Sequence, residues 1–213
     1  IDEVQLKIIN DSRGEKTLEV DLGLDGQKVT ASVPSGKSKG SNEAFVLEPE
    51  LAIRKLDEIK PKLQRDFQSL EEFDNFLIEL DGTVGKTNLG GNLILGLSIA
   101  FTKAWAKLQN LEVFQLIAQI SKQEAKLPLC FFNLIEGGVH VPHHSVQDFT
   151  ASLPFQEYLF IPQTNSPKES LETVTKVIKV LGDKIQEKYG EVRQGDEGGF
   201  APNLKSNEEG ISV

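Results

Sequence analysis

Three short runs open the chain, each alternating or rich in β-branched residues: Val4 to Ile9, Thr17 to Leu24 and Lys28 to Val33. Asp11 to Gly14 separates the first two, and Asp25-Gly26 separates the second from the third. An Asp-Gly pair between two such runs is a hairpin signal, because both residues accept positive φ. The pattern predicts a small antiparallel sheet of three strands.

From Pro49 to Gln119 the apolar positions recur at helical spacing. Ala52, Leu56, Ile59 and Leu63 share one face. Ser69 to Glu72 (SLEE) is a capping box, followed by Leu70, Phe73, Leu77 and Leu80 on the next face. Asn92 to Leu108 is apolar nearly all round, which predicts a helix buried against something large. Leu111 to Ile120 reads as a further short helix.

The pattern then changes. Leu127 to Ile135 is a near-continuous apolar run of strand length, the signature of a strand buried on both faces. Gly137-Gly138 ends it, and the polar loop beyond holds all three histidines, His140, His143 and His144. Phe155 to Ile161 is a second apolar strand. Ser166 caps the next helix, Pro167 is its first residue and Gly190 its stop, and its apolar face is Leu171, Val174, Ile178, Leu181 and Ile185. The expected organisation is a small sheet with helices over residues 1–124, then a β/α domain over 125–213, with the boundary between Lys122 and Lys126.

Composition narrows the classes. A net charge of −9 without a long basic run argues against a nucleic-acid partner. No stretch has the length and apolarity of a membrane span or a signal peptide. The single cysteine, Cys130, lies in the apolar run and reads as a buried thiol, which fits a reducing cytoplasm. The chain begins at Ile1 without Met, and a helix-start pattern at Ser206 stands just before Val213. Both features suggest a piece of a longer polypeptide.

Candidate chemistry concentrates in Gln194 to Pro202 (QGDEGGFAP), where Asp196 and Glu197 sit among three glycines after the long helix. Glycines there let backbone approach a ligand, and a carboxylate so held can act as a general acid or base or ligate a metal. Glu157, in or beside a strand expected to be buried, would have to be paired, protonated or ligating. His140, His143, His144 and Asp148 offer enough ligands for zinc, although no Cys/His spacing supports a structural site. Gly36-Lys37-Ser38 and Gly85-Lys86-Thr87 end like phosphate-binding loops, but Ala31 and Leu80 stand where the first glycine is needed. Both are read as chance.

Taken in order, the segments resemble the enolase family. Asp11 to Gly14 (DSRG) with Thr17 to Val20 (TLEV) is similar to its opening, and Val33 to Gly40 (VPSGKSKG) to its first mobile loop. Asp81-Gly82-Thr83 and Leu89 to Ser98 (LGGNLILGLS) follow. Phe132 to His140 (FNLIEGGVH), Gln156 to Pro162 (QEYLFIP) and Gly195 to Pro202 (GDEGGFAP) complete the series over nearly the whole chain. The ordered set is specific where no single member is.

The resemblance implies an α+β capping domain followed by the beginning of a β/α (TIM-type) barrel. It implies Mg²⁺-dependent dehydration of 2-phosphoglycerate to phosphoenolpyruvate, in a cytoplasmic homodimer with Arg13 at the subunit contact. It further implies Glu197 as the acid for the leaving hydroxide, with Glu157 beside it, Gln156 and His140 as substrate contacts, and Ser38 as a ligand of a second Mg²⁺. The acidic ligands of the main Mg²⁺ and the lysine base come from later barrel strands in the family, so this chain alone is expected to be inactive. A Gln followed by an acid also occurs at Gln147-Asp148, but Tyr158 to Pro162 favours Gln156-Glu157. Besides Lys37 and Lys39, which flank Ser38 where small residues are usual, the sequence departs from the family in two places. Glu136 replaces the asparagine before the double glycine, and the loop between His140 and Gln156 is longer by about eight residues. A non-catalytic, enolase-like binding or scaffold protein is the alternative these departures motivate.

Overall fold

The structure is a computed structural model that describes residues 1–36, 40–141, 153–195 and 197–213. The chain forms two compact units, Ile1–Ala125 and Lys126–Val213.

In the first unit β1 (Glu3–Asn10), β2 (Lys16–Leu24) and β3 (Gln27–Ser32) make an antiparallel meander. Leu24 pairs with Gln27 across the two-residue turn, where Asp25 has φ 45° and Gly26 φ 77°. Both central residues at positive φ match the right-handed twist of the flanking strands. One face of the sheet supplies Val4, Leu18, Val20, Leu22 and Ala31 to the core.

Four helices accompany the sheet: α1 (Pro49–Leu63), α2 (Leu70–Asp81), α3 (Gly91–Leu108) and α4 (Val113–Ser121). The expected α1 face is buried at Ala52, Leu56, Ile59 and Leu63. Ser69 caps α2 by accepting from the Glu72 N–H at 3.0 Å, and the Glu72 carboxylate accepts from Gln68 N at 2.7 Å. The apolar α3 lies on the sheet: a Cβ at Gly96 would stand 2.9 Å from Cγ2 of both Val20 and Val33, so glycine sets the approach of helix to strands. Phe101 of α3 stacks on Phe73 of α2 at 4.2 Å between centroids, and Phe67 meets Phe73 edge-on at 4.9 Å.

Asp81 closes this unit from within. It is 1% exposed, and its carboxylate accepts from the N–H groups of Thr83, Asn88 and Leu89 and from the Thr83 hydroxyl. Those bonds fold the segment between α2 and α3. They also show that Gly85-Lys86-Thr87 is a turn before α3 rather than a phosphate loop, because α3 starts only at Gly91.

The second unit holds β4 (Phe132–Glu136), β5 (Glu157–Phe160), the long α5 (Pro167–Tyr189) and α6 (Asn207–Ser212). Ser166 caps α5, and Gly190, at φ 74°, ends it. β4 and β5 pair antiparallel, with an irregularity between Asn133 and Ile135. The parallel neighbour of β4 is the segment at Phe200: Glu136 N donates to Phe200 O, and Phe200 N to Leu134 O, each at 2.8 Å. That segment arrives after α5, as parallel pairing needs a crossover.

The apolar run before β4 differs from its expectation. Only residues 132–136 form strand; Leu127, Leu129 and Phe131 are exposed and Cys130 is half-buried. On α5, Val174 and Ile185 are buried but Leu171 and Ile178 are exposed. An apolar run states a capacity for burial, and the described residues of this unit cover only part of it.

Candidate active site

Three segments far apart in sequence meet at the C-terminal end of β4. The first runs from Glu136 through a single 3-10 turn, Gly138–His140. The second is Gln156-Glu157 at the start of β5. It is held in place because Gly137 N donates to Gln156 O at 2.9 Å and Glu157 lies opposite Glu136 in the ladder. The third is the glycine-rich turn before Phe200, closed by Gly195 N on Gly199 O at 2.8 Å and by Gly198 N on Gly195 O at 3.2 Å, with Gly198 at φ 90°.

The glycines make the convergence possible. A Cβ at Gly138, itself at φ 55°, would come within 3.1 Å of Leu153 O and 3.2 Å of Gln156 Cγ. A Cβ at Gly195 would overlap Glu136 Oε2.

His140 is the buried centre of the group, 4% exposed. Its Nδ1 lies 3.6 Å from Glu157 Oε1 and 3.7 Å from Glu197 Oε2. Both distances exceed a hydrogen bond, and Nδ1 has no hydrogen-bond partner among the described residues. Glu157 and Glu197 are open to solvent, their side chains 35% and 41% exposed. The expectation of a buried Glu157 is therefore corrected: β5 is a short strand with exposed positions, and Glu157 stands at its first residue. Gln156 is likewise exposed. Ser38, Asp196, Gln147, Asp148, His143 and His144 lie outside the described residues. Of the zinc candidates only His140 is described.

Beneath this trio lies Glu136, fully buried. Its Oε1 accepts from Gly199 N at 2.6 Å and its Oε2 from Glu197 N at 3.3 Å. Burial pushes its carboxyl above the ordinary value, the two N–H donors and His140 oppose that, and the charge of Glu197 adds to it. In the sequence Glu136 stands out only as the replacement of an asparagine. Its place at the inward end of an apolar strand was the available signal that the group is buried and must find donors.

Chemically, one imidazole lies beside two carboxylates, each just beyond hydrogen-bond distance, an arrangement that can pass a proton to or from a group seated against all three. The same atoms lie within 4.8 Å of one another and could ligate a cation. One nitrogen with two carboxylates suits zinc or a similar transition metal, whereas Mg²⁺ prefers an all-oxygen shell. The cluster thus does not suit Mg²⁺.

Arg13 is engaged within its own unit, donating to Asp11 Oδ2 at 2.9 Å and to Ser35 O at 3.0 Å. No described helix is long and apolar enough to cross a membrane.

Comparison with known proteins places these observations. Residues 1–117 match the family model described as enolase, N-terminal domain, and residues 124–213 that of enolase, C-terminal TIM barrel domain. Enolase B of Dictyostelium discoideum is 35% identical over all of this chain and half of its own length. Enolase of Methanopyrus kandleri is 35% identical over 99% of the chain and 51% of its own length. Enolase 2 of Pseudomonas syringae pv. syringae is 34% identical over 100% and 51%. The chain spans about half the length of the curated relatives it matches. With an ordered set of motifs, an α+β unit ahead of the first strands of a barrel, and both family models matched in sequence, this chain belongs to the enolase family.

Proposed function

We propose that the full-length protein dehydrates 2-phosphoglycerate to phosphoenolpyruvate as a cytoplasmic, homodimeric lyase that uses Mg²⁺. The observation that supports this most is the convergence of Glu197 and Glu157 on the buried His140 Nδ1, in a chain whose two units match the two enolase domains in order. In this reading the C2–H proton is removed, the C3–O bond breaks, and a C2=C3 double bond forms. Glu197 delivers a proton to the departing hydroxide, which leaves as water. Glu157 stands beside the same imidazole nitrogen and accepts or returns that proton, while His140 and Gln156 orient the substrate.

Mg²⁺ enters through the family, and its ligands belong outside the His140 cluster, with Ser38 as the one candidate in this chain. The C2 base is also assigned outside these residues. Turnover is accordingly proposed for the full-length protein and not for residues 1–213 alone.

The test follows phosphoenolpyruvate absorbance with purified full-length protein and Mg²⁺. The wild type is expected to turn over, and Glu197→Gln to fall by about 10²–10⁴-fold with its fold retained. A folded wild type without turnover would favour the non-catalytic scaffold. A Glu197→Gln variant with near-normal turnover would remove the acid role from that residue.

A further inference from the structure

Glu136 belongs to none of the roles above, yet among the described residues it is the carboxylate most completely enclosed. It sits at the end of β4, where the family pattern has an asparagine. Its two oxygens take two different backbone donors, Gly199 N at 2.6 Å and Glu197 N at 3.3 Å, so the carboxylate brackets Gly198 from below. Space for it is made on both flanks. A Cβ at Gly199 would stand 3.0 Å from Oε1, and one at Gly195 would overlap Oε2 and come within 2.5 Å of Cδ. Among the described residues the turn is also closed by backbone bonds from Gly195 N to Gly199 O and from Gly198 N to Gly195 O, flanked by Ala201 N on Arg193 O, and tied to β4 at Phe200.

We propose that Glu136 is a positioning residue for Glu197, its carboxylate fixing the backbone of the glycine-rich turn so that the Glu197 side chain faces His140. This rests on the dehydratase reading of the site. A side-chain amide offers one acceptor oxygen, whereas the carboxylate offers two. The carboxylate thus gives the Glu197 and Gly199 N–H groups an oxygen each. Bonds from N–H to an ionised oxygen are also the stronger kind. Glu136 does not touch the site of reaction. It acts through the backbone of Glu197, and small displacements of a reacting group are costly to rate.

The experiment uses the full-length protein with Glu136→Gln and Glu136→Asn. Two readouts are taken: kcat and KM for 2-phosphoglycerate, and hydrogen exchange of backbone amides over residues 195–200. Each variant is expected to lose about 10–100-fold in kcat with KM within about twofold. Exchange at the Glu197 or Gly199 N–H should rise by about tenfold, that being the scale of one lost charged hydrogen bond. Glu136→Gln added to Glu197→Gln should cost little beyond Glu197→Gln alone, because Glu136 acts through Glu197. Wild-type exchange and wild-type kcat in Glu136→Gln would overturn the proposal, as would full additivity in the double variant. Absence of turnover in the wild type would instead sink the dehydratase reading. The exchange data would still decide whether Glu136 holds the turn.

Discussion

Replacing Asp81 by Asn is expected to destabilise the first unit by about 2–4 kcal/mol at pH 7. Asp81 is 1% exposed, and each oxygen has distinct donors: Oδ1 takes Thr83 N at 3.0 Å and the Thr83 hydroxyl, Oδ2 takes Leu89 N at 2.7 Å and Asn88 N at 3.1 Å. An amide keeps one acceptor and turns an NH₂ toward the other donors. The smaller loss sacrifices the Thr83 side, since its hydroxyl can rotate away, but the Thr83 N–H is then opposed and the charge is gone. Bonds to a charged group contribute about 1.5–3 kcal/mol each, and the stranded donor adds to the cost. The variant's melting temperature should fall by roughly 10 °C, at a few degrees per kcal/mol for a unit of this size.

The assay is built in. Trp105 is the sole tryptophan and stacks on Phe101 at 5.5 Å in the first unit, so its fluorescence follows that unit alone. The pH dependence gives a second check. Burial alone would raise the Asp81 carboxyl, but the Thr83 hydroxyl and the N–H groups of Leu89, Thr83 and Asn88 outweigh it and hold it below its ordinary 3.8. A carboxylate depressed in the folded state contributes its stability above the unfolded value, and that contribution is lost as pH falls through the folded value. The gap between wild type and Asp81→Asn should stay constant from pH 6 to 8 and close below about pH 4. Equal midpoints at pH 7, or a gap that widens in acid, would refute the reasoning.

Two further perturbations test the same unit. Phe101→Ala removes a ring that is 1% exposed and stacked on both Phe73 and Trp105, so a loss of about 3–5 kcal/mol is expected, read by urea unfolding, with Trp105 emission already shifted in the folded state. Gly96→Val adds a branched side chain where a Cβ alone would stand 2.9 Å from Val20 and Val33. Although helix propensity favours the change, overpacking of about 1–3 kcal/mol should win, and a variant more stable than wild type would show that α3 can shift off the sheet.

Local chemistry was legible wherever a residue fixes its own backbone. Asp25-Gly26 specified the hairpin, Ser69 the start of α2, and Ser166-Pro167 with Gly190 both ends of α5, because caps and positive φ depend on near neighbours. Burial was less legible. Leu129 and Leu134 belong to one apolar run, yet Leu129 is exposed while Leu134 is half-buried within β4. What covers a residue is decided by distant segments. For the same reason Glu157 was expected inside and is found at an open strand end. The site was legible as an ordered set of motifs rather than through spacing. Glu136, His140, Glu157 and Glu197 are brought together by the β4–β5 ladder and the bridge at Phe200, and no periodicity encodes either.

The spacing within the site follows from what the proposed reaction requires of it. A direct bond between Glu197 and His140 would fix the acidic proton between two protein atoms and leave no room for the departing oxygen. The structure instead leaves 3.6 and 3.7 Å from the imidazole to the two carboxylates, with Nδ1 unpartnered among the described residues. A polar group of the substrate set against Nδ1 would give the buried ring a hydrogen-bond partner. A substrate hydroxyl placed there would come within reach of both carboxylates and the ring at once. On this argument the contact that stabilises the bound substrate is also the one that aligns its leaving group with the acid.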